Sequence, residues 1–158
     1  MVRLSVTLSA EVEEVKNIYP SSDKIWFFKL KCSNCLTVSE NFVGIDPEEK
    51  IEQRNSTVNL LMKCKSCTRE NTVSIEQMPP IKDRDQSGEN NIQLEMARFD
   101  CRGIELEEFD PRDQWTVVTT SGKEFHDADL SNDWSEYDDS ASASICVLSI
   151  SSSINKIK

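Results

Sequence analysis

The sequence predicts a mainly antiparallel β protein, and three observations support that prediction. Apolar residues alternate with polar ones from Val2 to Leu8, as they do on a strand with one buried face. A unit of apolar run, Lys-Cys-x-x-Cys and second β-rich run occurs twice. No long segment repeats its apolar residues with the 3.6-residue period of an amphipathic helix.

The N-terminal third is predicted to supply the first unit. The alternation at Val2 begins a first strand, and residues 12–18 either continue it or turn. The apolar run of residues 25–30 is predicted to be a strand that leads to Cys32. We expect residues 38–43 to form its return strand.

The second unit follows a turn or helix start at Asp46-Pro47, where the aspartate can cap and the proline can begin a helix. Residues 57–62 are predicted to lead into Cys64, and residues 71–75 to return from Cys67. The sequence therefore predicts two hairpins whose cysteine-bearing tips face each other.

Residues 81–91 are almost wholly polar and predict a solvated linker. Period-two alternation resumes at Ile92, and further strands are predicted at residues 99–104, 115–120 and 145–150. Gly103, inside the first of these, permits a bulge. The polar segment 151–158 is expected to fray.

Two C-x-x-C pairs, twenty-eight residues apart, are the strongest chemical signal. Each pair places two thiolates on one short loop, and two such loops complete a tetrahedral four-sulfur site. Zinc suits such a site better than other metals. We expect one zinc ion, held by Cys32, Cys35, Cys64 and Cys67. Four thiolates leave no open position, so the site is expected to be structural rather than catalytic.

Charge is unevenly distributed in this chain of 158 residues with net charge −10. Residues 24–84, which hold the cysteine pairs, carry ten basic and eight acidic side chains, whereas residues 85–158 carry six basic and sixteen acidic ones. Nucleic-acid binding normally needs a basic surface, so it is disfavoured. No apolar run is long enough to predict a membrane span. We expect a monomer in the cytosol, with the nucleus as an alternative.

Four motifs occur in the order found in a known family. They are Leu30-Lys31-Cys32-Ser-Asn-Cys35, Lys63-Cys64-Lys-Ser-Cys67-Thr-Arg69-Glu70-Asn71, Cys101-Arg102-Gly103 with Phe109 and Pro111 after it, and Asp133-Trp134-Ser-Glu-Tyr137-Asp138. With these motifs the chain resembles the eukaryotic CXXC-motif-containing zinc-binding proteins, formerly catalogued as a domain of unknown function. The resemblance covers nearly the whole chain.

The resemblance implies two small antiparallel β-barrel or sandwich-like halves related by a pseudo-twofold axis, with zinc in the first half. We predict one family-wide unit, 1–158, with a zinc-binding half at 1–80, a linker at 81–91 and an acidic half at 92–158. The resemblance implies the same four cysteine ligands, and it offers no established catalytic activity to transfer to this chain. Leu36 stands where relatives often have glycine, and it costs about 1 kcal/mol if its φ is positive.

The other candidate residues have structural interpretations. Cys101 and Cys146 are predicted to be small buried hydrophobes, and His126 a surface residue. The acidic aromatic segment around residues 133–139 is either packed inward with its acids in water or a docking site for a basic partner. Its candidate partner-binding residues are Trp134, Glu136, Tyr137, Asp138 and Asp139.

The sequence thus favours a non-enzymatic zinc protein that acts through a protein partner. The alternative is a thiol-based metal relay or redox sensor that uses the zinc thiolates. Nucleic-acid binding is a third hypothesis, supported only by lysines near the cysteines.

Overall fold

The computed structural model of the chain describes residues 2–53, 55–76 and 90–157. Within these ranges no helix is long and apolar enough to cross a bilayer. The described residues form strands joined by turns. In chain order the strands are β1 (Val2–Glu13), β2 (Val15–Pro20), β3 (Trp26–Cys32), β4 (Val43–Ile45), β5 (Ile51–Gln53), β6 (Ser56–Val58), β7 (Leu60–Lys63), β8 (Glu70–Ile75), β9 (Asn91–Arg102), β10 (Ile104–Asp110), β11 (Trp115–Thr119), β12 (Glu124–Ala128), β13 (Trp134–Asp138) and β14 (Ala143–Ile157).

The main sheet has six strands, in the order β13-β14-β1-β9-β8-β7. β1 lies between β14 and β9 and pairs antiparallel with both, so its alternating apolar residues form a central buried row. Leu4, Val6 and Leu8 are all buried. Bulges after Val6 and Ser9 shift the register on the two sides, which lets so long a sheet curl.

Three smaller sheets complete the fold. Two have three strands each, in the orders β10-β3-β4 and β12-β11-β2, and one pairs β5 with β6. Successive residues of β3, from 26 to 32, alternate strictly between buried and half-buried positions, so one face of the strand is buried. It ends at Cys32, so the strand delivers the first zinc ligand.

An aromatic cluster fills the core between the main sheet and the β10-β3-β4 sheet. Phe28 lies 5.1 Å from both Phe99 and Phe109, measured between ring centroids. Trp26 contacts Phe99 edge-on at 5.7 Å and Trp115 at 5.8 Å. These rings link β3 to β9, β10 and β11, which are distant from it in sequence. The mainly β fold is confirmed, and the four clustered cysteines lie in its first half.

The prediction that residues 151–158 fray was wrong for residues 151–157, and residue 158 lies outside the described residues. β14 runs to Ile157 and pairs with β1, with Ile154 opposite Val6 and Ile157 opposite Arg3. Ile150 and Ile154 pack against the core, which anchors the strand in spite of its serines. Apolar residues every four positions are too sparse to signal a strand, but β1 supplies backbone hydrogen bonds to this segment.

The predicted return strand at residues 38–43 was also wrong. Val38 forms only an isolated bridge with Lys31, and strand pairing begins at β4. The hydroxyl of Ser39 explains the interruption, because it accepts from the Leu30 N–H and donates to the Asn41 carbonyl. At the other ambiguous point, Asp46 forms a turn rather than a helix start, with its carboxylate accepting from the Glu48 N–H.

The division into sub-units stays a prediction. Each of the three larger sheets combines strands from before residue 81 with strands from after residue 91. Most of the predicted linker, residues 81–89, lies outside the described residues, and its last residue, Asn91, begins β9.

Candidate metal centre

Two knuckles of the same geometry form the tips of the cysteine hairpins. In the first, the Leu36 N–H donates to the Cys32 carbonyl at 2.8 Å, and the Cys32 N–H donates to the Thr37 carbonyl at 2.9 Å. The second repeats both bonds, from Thr68 to Cys64 and from Cys64 to Arg69, each at 2.9 Å. These local bonds fix the two C-x-x-C loops in the same conformation.

The residue after each second cysteine has a left-handed backbone. Leu36 has φ 65° and Thr68 has φ 62°. The expected cost of a leucine at this position is therefore present, because side chains other than glycine lose about 1–2 kcal/mol in that region. The first knuckle keeps the same hydrogen bonds as the second, so the strain is accommodated without distortion of the loop.

The four thiols converge on one point. All four Sγ atoms lie within 4.8 Å of one another, with Cys32 and Cys67 3.6 Å apart and Cys35 and Cys64 3.5 Å apart. A zinc–sulfur distance of about 2.3 Å sets the edge of a sulfur tetrahedron at about 3.8 Å. The donor set and its spacing therefore fit zinc, and these four cysteines form a zinc-binding site.

Hydrogen bonds prepare the two sulfurs of the first knuckle to act as thiolates. N–H groups of Cys35 and then Asn34 point at Cys32 and lower the pKa of its thiol to about 6. The hydroxyl and then the N–H of Thr37 lower the pKa of Cys35. Lys63 and Lys65, which neighbour the ligand Cys64 in sequence, are exposed. Amide dipoles are therefore the direct counterweight to the negative sulfurs.

A carbonyl at the β9–β10 turn braces the first knuckle. Gly103 accepts a bond from the Ser33 N–H at 3.0 Å. The side-chain amide of buried Asn71 is oriented so that its nitrogen faces acceptors, and this nitrogen also donates to the Gly103 carbonyl at 3.0 Å. Gly103 has φ 75°, and a methyl group there would overlap the Asn71 side chain. Sequence reasoning assigned Gly103 only to a bulge and missed this role for both residues.

The remaining sequence candidates lie away from the metal centre. Cys101 is fully buried on β9, where burial raises the pKa of its thiol to about 12, as expected of a small hydrophobe. Cys146 is half-buried on β14. His126 is exposed on β12, with Nδ1 3.2 Å from the Thr116 hydroxyl. The structure thus assembles no Cys–His pair from these residues.

The acidic aromatic segment forms β13, at one edge of the main sheet. Tyr137 is 53% exposed, and Glu136 and Asp139 are also exposed. Trp134 is half-buried and packs edge-on against Phe125 at 5.6 Å. The β13 segment therefore combines an inward-packed anchor, Trp134, with exposed acidic side chains at the edge of the sheet.

Asp138 does not belong on that face, which corrects its place among the predicted partner-binding residues. Its side chain is fully buried and bound by neighbouring hydroxyls. Ser121 donates to one carboxylate oxygen at 2.6 Å, and the N–H and hydroxyl of Ser140 donate to the other at 3.0 and 2.6 Å. Its role is to tie β13 to the β11–β12 turn.

This buried carboxylate predicts a specific acid sensitivity. The Ser121 hydroxyl, followed by that of Ser140, lowers the pKa of Asp138 from 3.8 to about 2. The unfolded chain therefore binds this proton first, so the stabilisation is complete above pH 4 and is lost as pH falls toward 2. We expect Asp138→Asn to flatten the dependence of unfolding free energy on pH in that window, measured by urea unfolding. Parallel curves for the variant and the parent would refute this assignment.

Leu36 predicts a stabilising substitution. Leu36→Gly removes left-handed strain but gives the unfolded chain more freedom, so we expect a net gain of up to about 1 kcal/mol in unfolding free energy. Leu36→Ala is the matched control, because it shortens the side chain and keeps the strain. Urea unfolding of both zinc-loaded variants measures the difference, and equal stability of the two would be inconsistent with strain at this residue.

The chain is similar to known proteins along its length. The family model described as CXXC motif containing zinc binding protein, eukaryotic, matches residues 5–155. A UPF0587 protein of Dictyostelium discoideum is 49% identical over 162 residues, with 100% of both chains covered. A CXXC motif containing zinc binding protein of Homo sapiens is 28% identical, with 95% of this chain and 96% of that protein covered. The crystal structure of C1orf123 superposes with a TM-score of 0.89 at 27% identity, covering 98% of this chain and 99% of that one.

Proposed function

Because this chain belongs to the eukaryotic family of CXXC motif containing zinc binding proteins, we propose that it is a non-enzymatic protein whose zinc site is structural and whose surface binds a protein partner. The four thiols support the structural role, since together they fill a tetrahedron and leave no position for a substrate or water. The knuckles support it too, because local backbone hydrogen bonds fix each C-x-x-C loop, and a shared zinc ion would tie together two segments that are distant in sequence.

The exposed face of β13 carries the interaction part of the proposal. We define the acidic face as the exposed surface that Glu136, Tyr137 and Asp139 form along this edge strand and the turn after it; Glu136 and Tyr137 project from opposite sides of the strand. Tyr137 is 53% exposed, so much of its aromatic ring is in contact with solvent. The carboxylates of Glu136 and Asp139 are near it in sequence and are also exposed. Aromatic anchors within a charged rim are typical of protein interfaces. Trp134, packed against Phe125, holds the strand from the inner side. A basic protein surface fits this face.

Photo-crosslinking tests the acidic face. A photoreactive phenylalanine analogue replaces Tyr137 in one sample and Ser152, exposed on β14, in the matched control. In extract of the source cells we expect a discrete adduct with a basic protein from position 137 only. Reversing the charges of Glu136 and Asp139 to lysine, with buried Asp138 kept, should abolish it. Equal adducts at both positions, or adducts that survive charge reversal, would argue against this surface.

The alternative is a thiol-based metal relay or redox sensor, and one observation favours it. Cys35 and Cys67 are only half-buried, so two of the four ligands can be reached from solvent. Accessible zinc thiolates can be oxidised or can exchange their metal. Zinc release measured with a colorimetric chelator under mild peroxide separates the hypotheses. Rapid release that leaves the main sheet folded would favour the sensor, whereas retained zinc would favour the structural role.

A further inference from the structure

The outer edge of β13 is open. β13 is the last strand of the main sheet, and it pairs antiparallel with β14 from Trp134 opposite Val147 to Asp138 opposite Ala143. No strand pairs with its other side in the described part of the chain. The backbone N–H and C=O groups on that side therefore offer a row of hydrogen-bonding partners to another strand.

β13 is fixed at both ends and exposed between them. Trp134 packs against Phe125 at 5.6 Å, and buried Asp138 accepts hydrogen bonds from neighbouring hydroxyls. The three residues between these anchors, 135–137, are all exposed. A strand held in this way already has the conformation that pairing requires, so the addition of a further strand costs little ordering of β13 itself.

The usual protection of an edge strand is absent from β13. Natural edges are commonly guarded by proline, a β-bulge or lysine. Residues 134–138 contain neither proline nor lysine, and their pairing with β14 has no register shift. β13 instead carries acidic charge in a chain of net charge −10. That charge disfavours a second copy of this chain as the occupant, because self-pairing brings like charges together, and it leaves the edge accessible to a strand of opposite charge.

The acidic charge at this edge is not neutralised within the described residues. Glu136 and Asp139 are exposed and form no ion pair there. The β14 residues that stand opposite β13 are all uncharged: Ala143, Ser144, Ile145, Cys146 and Val147. Beside β13, Lys123 stacks over an aromatic ring of β12 at 5.0 Å, but the same segment also carries Glu124 and Asp127. Basic side chains of a bound strand therefore meet unpaired carboxylates here.

We propose that β13 accepts an extended basic segment of a partner protein as a seventh strand of the main sheet, with the basic side chains beside Glu136 and Asp139. In strand addition, backbone hydrogen bonds along an open edge supply affinity, and the side chains supply specificity. This binding mode rests on the proposed acidic face and specifies the chemistry and conformation of the partner there. A folded basic surface, by contrast, would leave the edge of β13 unpaired.

The probe is a short fluorescein-labelled peptide in which lysine alternates with threonine. It is titrated against the zinc-loaded full-length protein and followed by fluorescence anisotropy, and we expect saturable binding. The control peptide has the same sequence with N-methyl groups on consecutive central residues, which remove backbone donors from both of its edges and keep every charge. It should bind at least about tenfold more weakly. The first peptide should also slow hydrogen exchange at alternate backbone amides of β13, which side-chain contacts alone would not do.

Charge-reversal variants locate the site. Glu136→Lys combined with Asp139→Lys, with buried Asp138 kept, should weaken binding of the first peptide at least about tenfold. Glu48→Lys combined with Glu49→Lys is the matched control, because these residues are exposed on the turn before β5 and the net charge changes by the same amount. At physiological ionic strength this control should change the affinity by no more than about twofold, since distant charges are screened.

The outcomes separate strand addition from the acidic face. Equal binding of the two peptides, or unchanged hydrogen exchange along β13, would overturn strand addition and leave the acidic face standing. Binding that survives charge reversal at residues 136 and 139 would count against both. Absence of saturable binding would overturn strand addition, while cross-linking from position 137 decides the acidic face independently. Self-association that the reversal abolishes would also overturn it, because the occupant would then be a second copy of this chain.

Discussion

Replacement of Cys64 by serine is expected to release the zinc and to unfold both knuckles while the centre of the main sheet stays folded. The main sheet should stay folded because none of the four ligands belongs to the buried apolar core that packs against it. Structural zinc sites contribute about 10 kcal/mol or more of binding free energy, and local hydrogen bonds alone do not replace it. Amide hydrogen exchange should show protection at residues 32–37 and 64–69 falling by about a thousandfold, with β1 and β9 little changed.

Cys146→Ser is the matched control for this substitution. Cys146 is a half-buried cysteine on β14, which lies four strands from β7 in the main sheet, whereas β3 belongs to a different sheet. It should keep the zinc and the protection of both knuckles. Loss of protection confined to one knuckle in Cys64→Ser would show that the two loops do not depend on a shared metal.

The second large effect is expected from Gly103→Ala. The substitution adds left-handed strain, and its methyl group meets the Asn71 amide. Together these should lower the unfolding free energy by about 3 kcal/mol. The Gly103 carbonyl also holds the Ser33 N–H, so its displacement should speed zinc release by about tenfold. Urea unfolding and transfer of zinc to a chelator measure the two effects.

Gly122 is the matched control, because alanine there would add backbone strain without the steric overlap expected at Gly103. It has φ 91°, and a methyl group there would meet nothing within 4 Å. Gly122→Ala should therefore cost about 1 kcal/mol and leave the rate of zinc release unchanged. If the two variants lost equal stability, contact between Gly103 and Asn71 would have no energetic weight.

The ligand set and the long strands could be predicted because their signals are local. C-x-x-C spacing identified the four cysteines that the structure brings together, and period-two alternation identified β1 and β9. The strain at Leu36 was also predictable, since the knuckle conformation is set by a few consecutive residues.

The features that the sequence did not predict depend on contacts between residues that are distant in the chain. β14 extends to Ile157 because β1 supplies its hydrogen bonds, a contact between the two ends of the chain. Asp138 is buried because hydroxyls of Ser121 and Ser140 reach it, whereas an aspartate among acids normally signals solvent. Gly103 and Asn71 meet only when the β9–β10 turn is placed against β8. A side chain's type alone carries no information on such contacts.

X-ray absorption at the zinc edge, on the purified full-length protein, tests the central claim most directly. A closed structural site predicts one zinc per chain with four sulfur ligands at about 2.3 Å and no lighter ligand. A coordination shell with a nitrogen or oxygen ligand in place of a sulfur would contradict it, because the site would then have an exchangeable position.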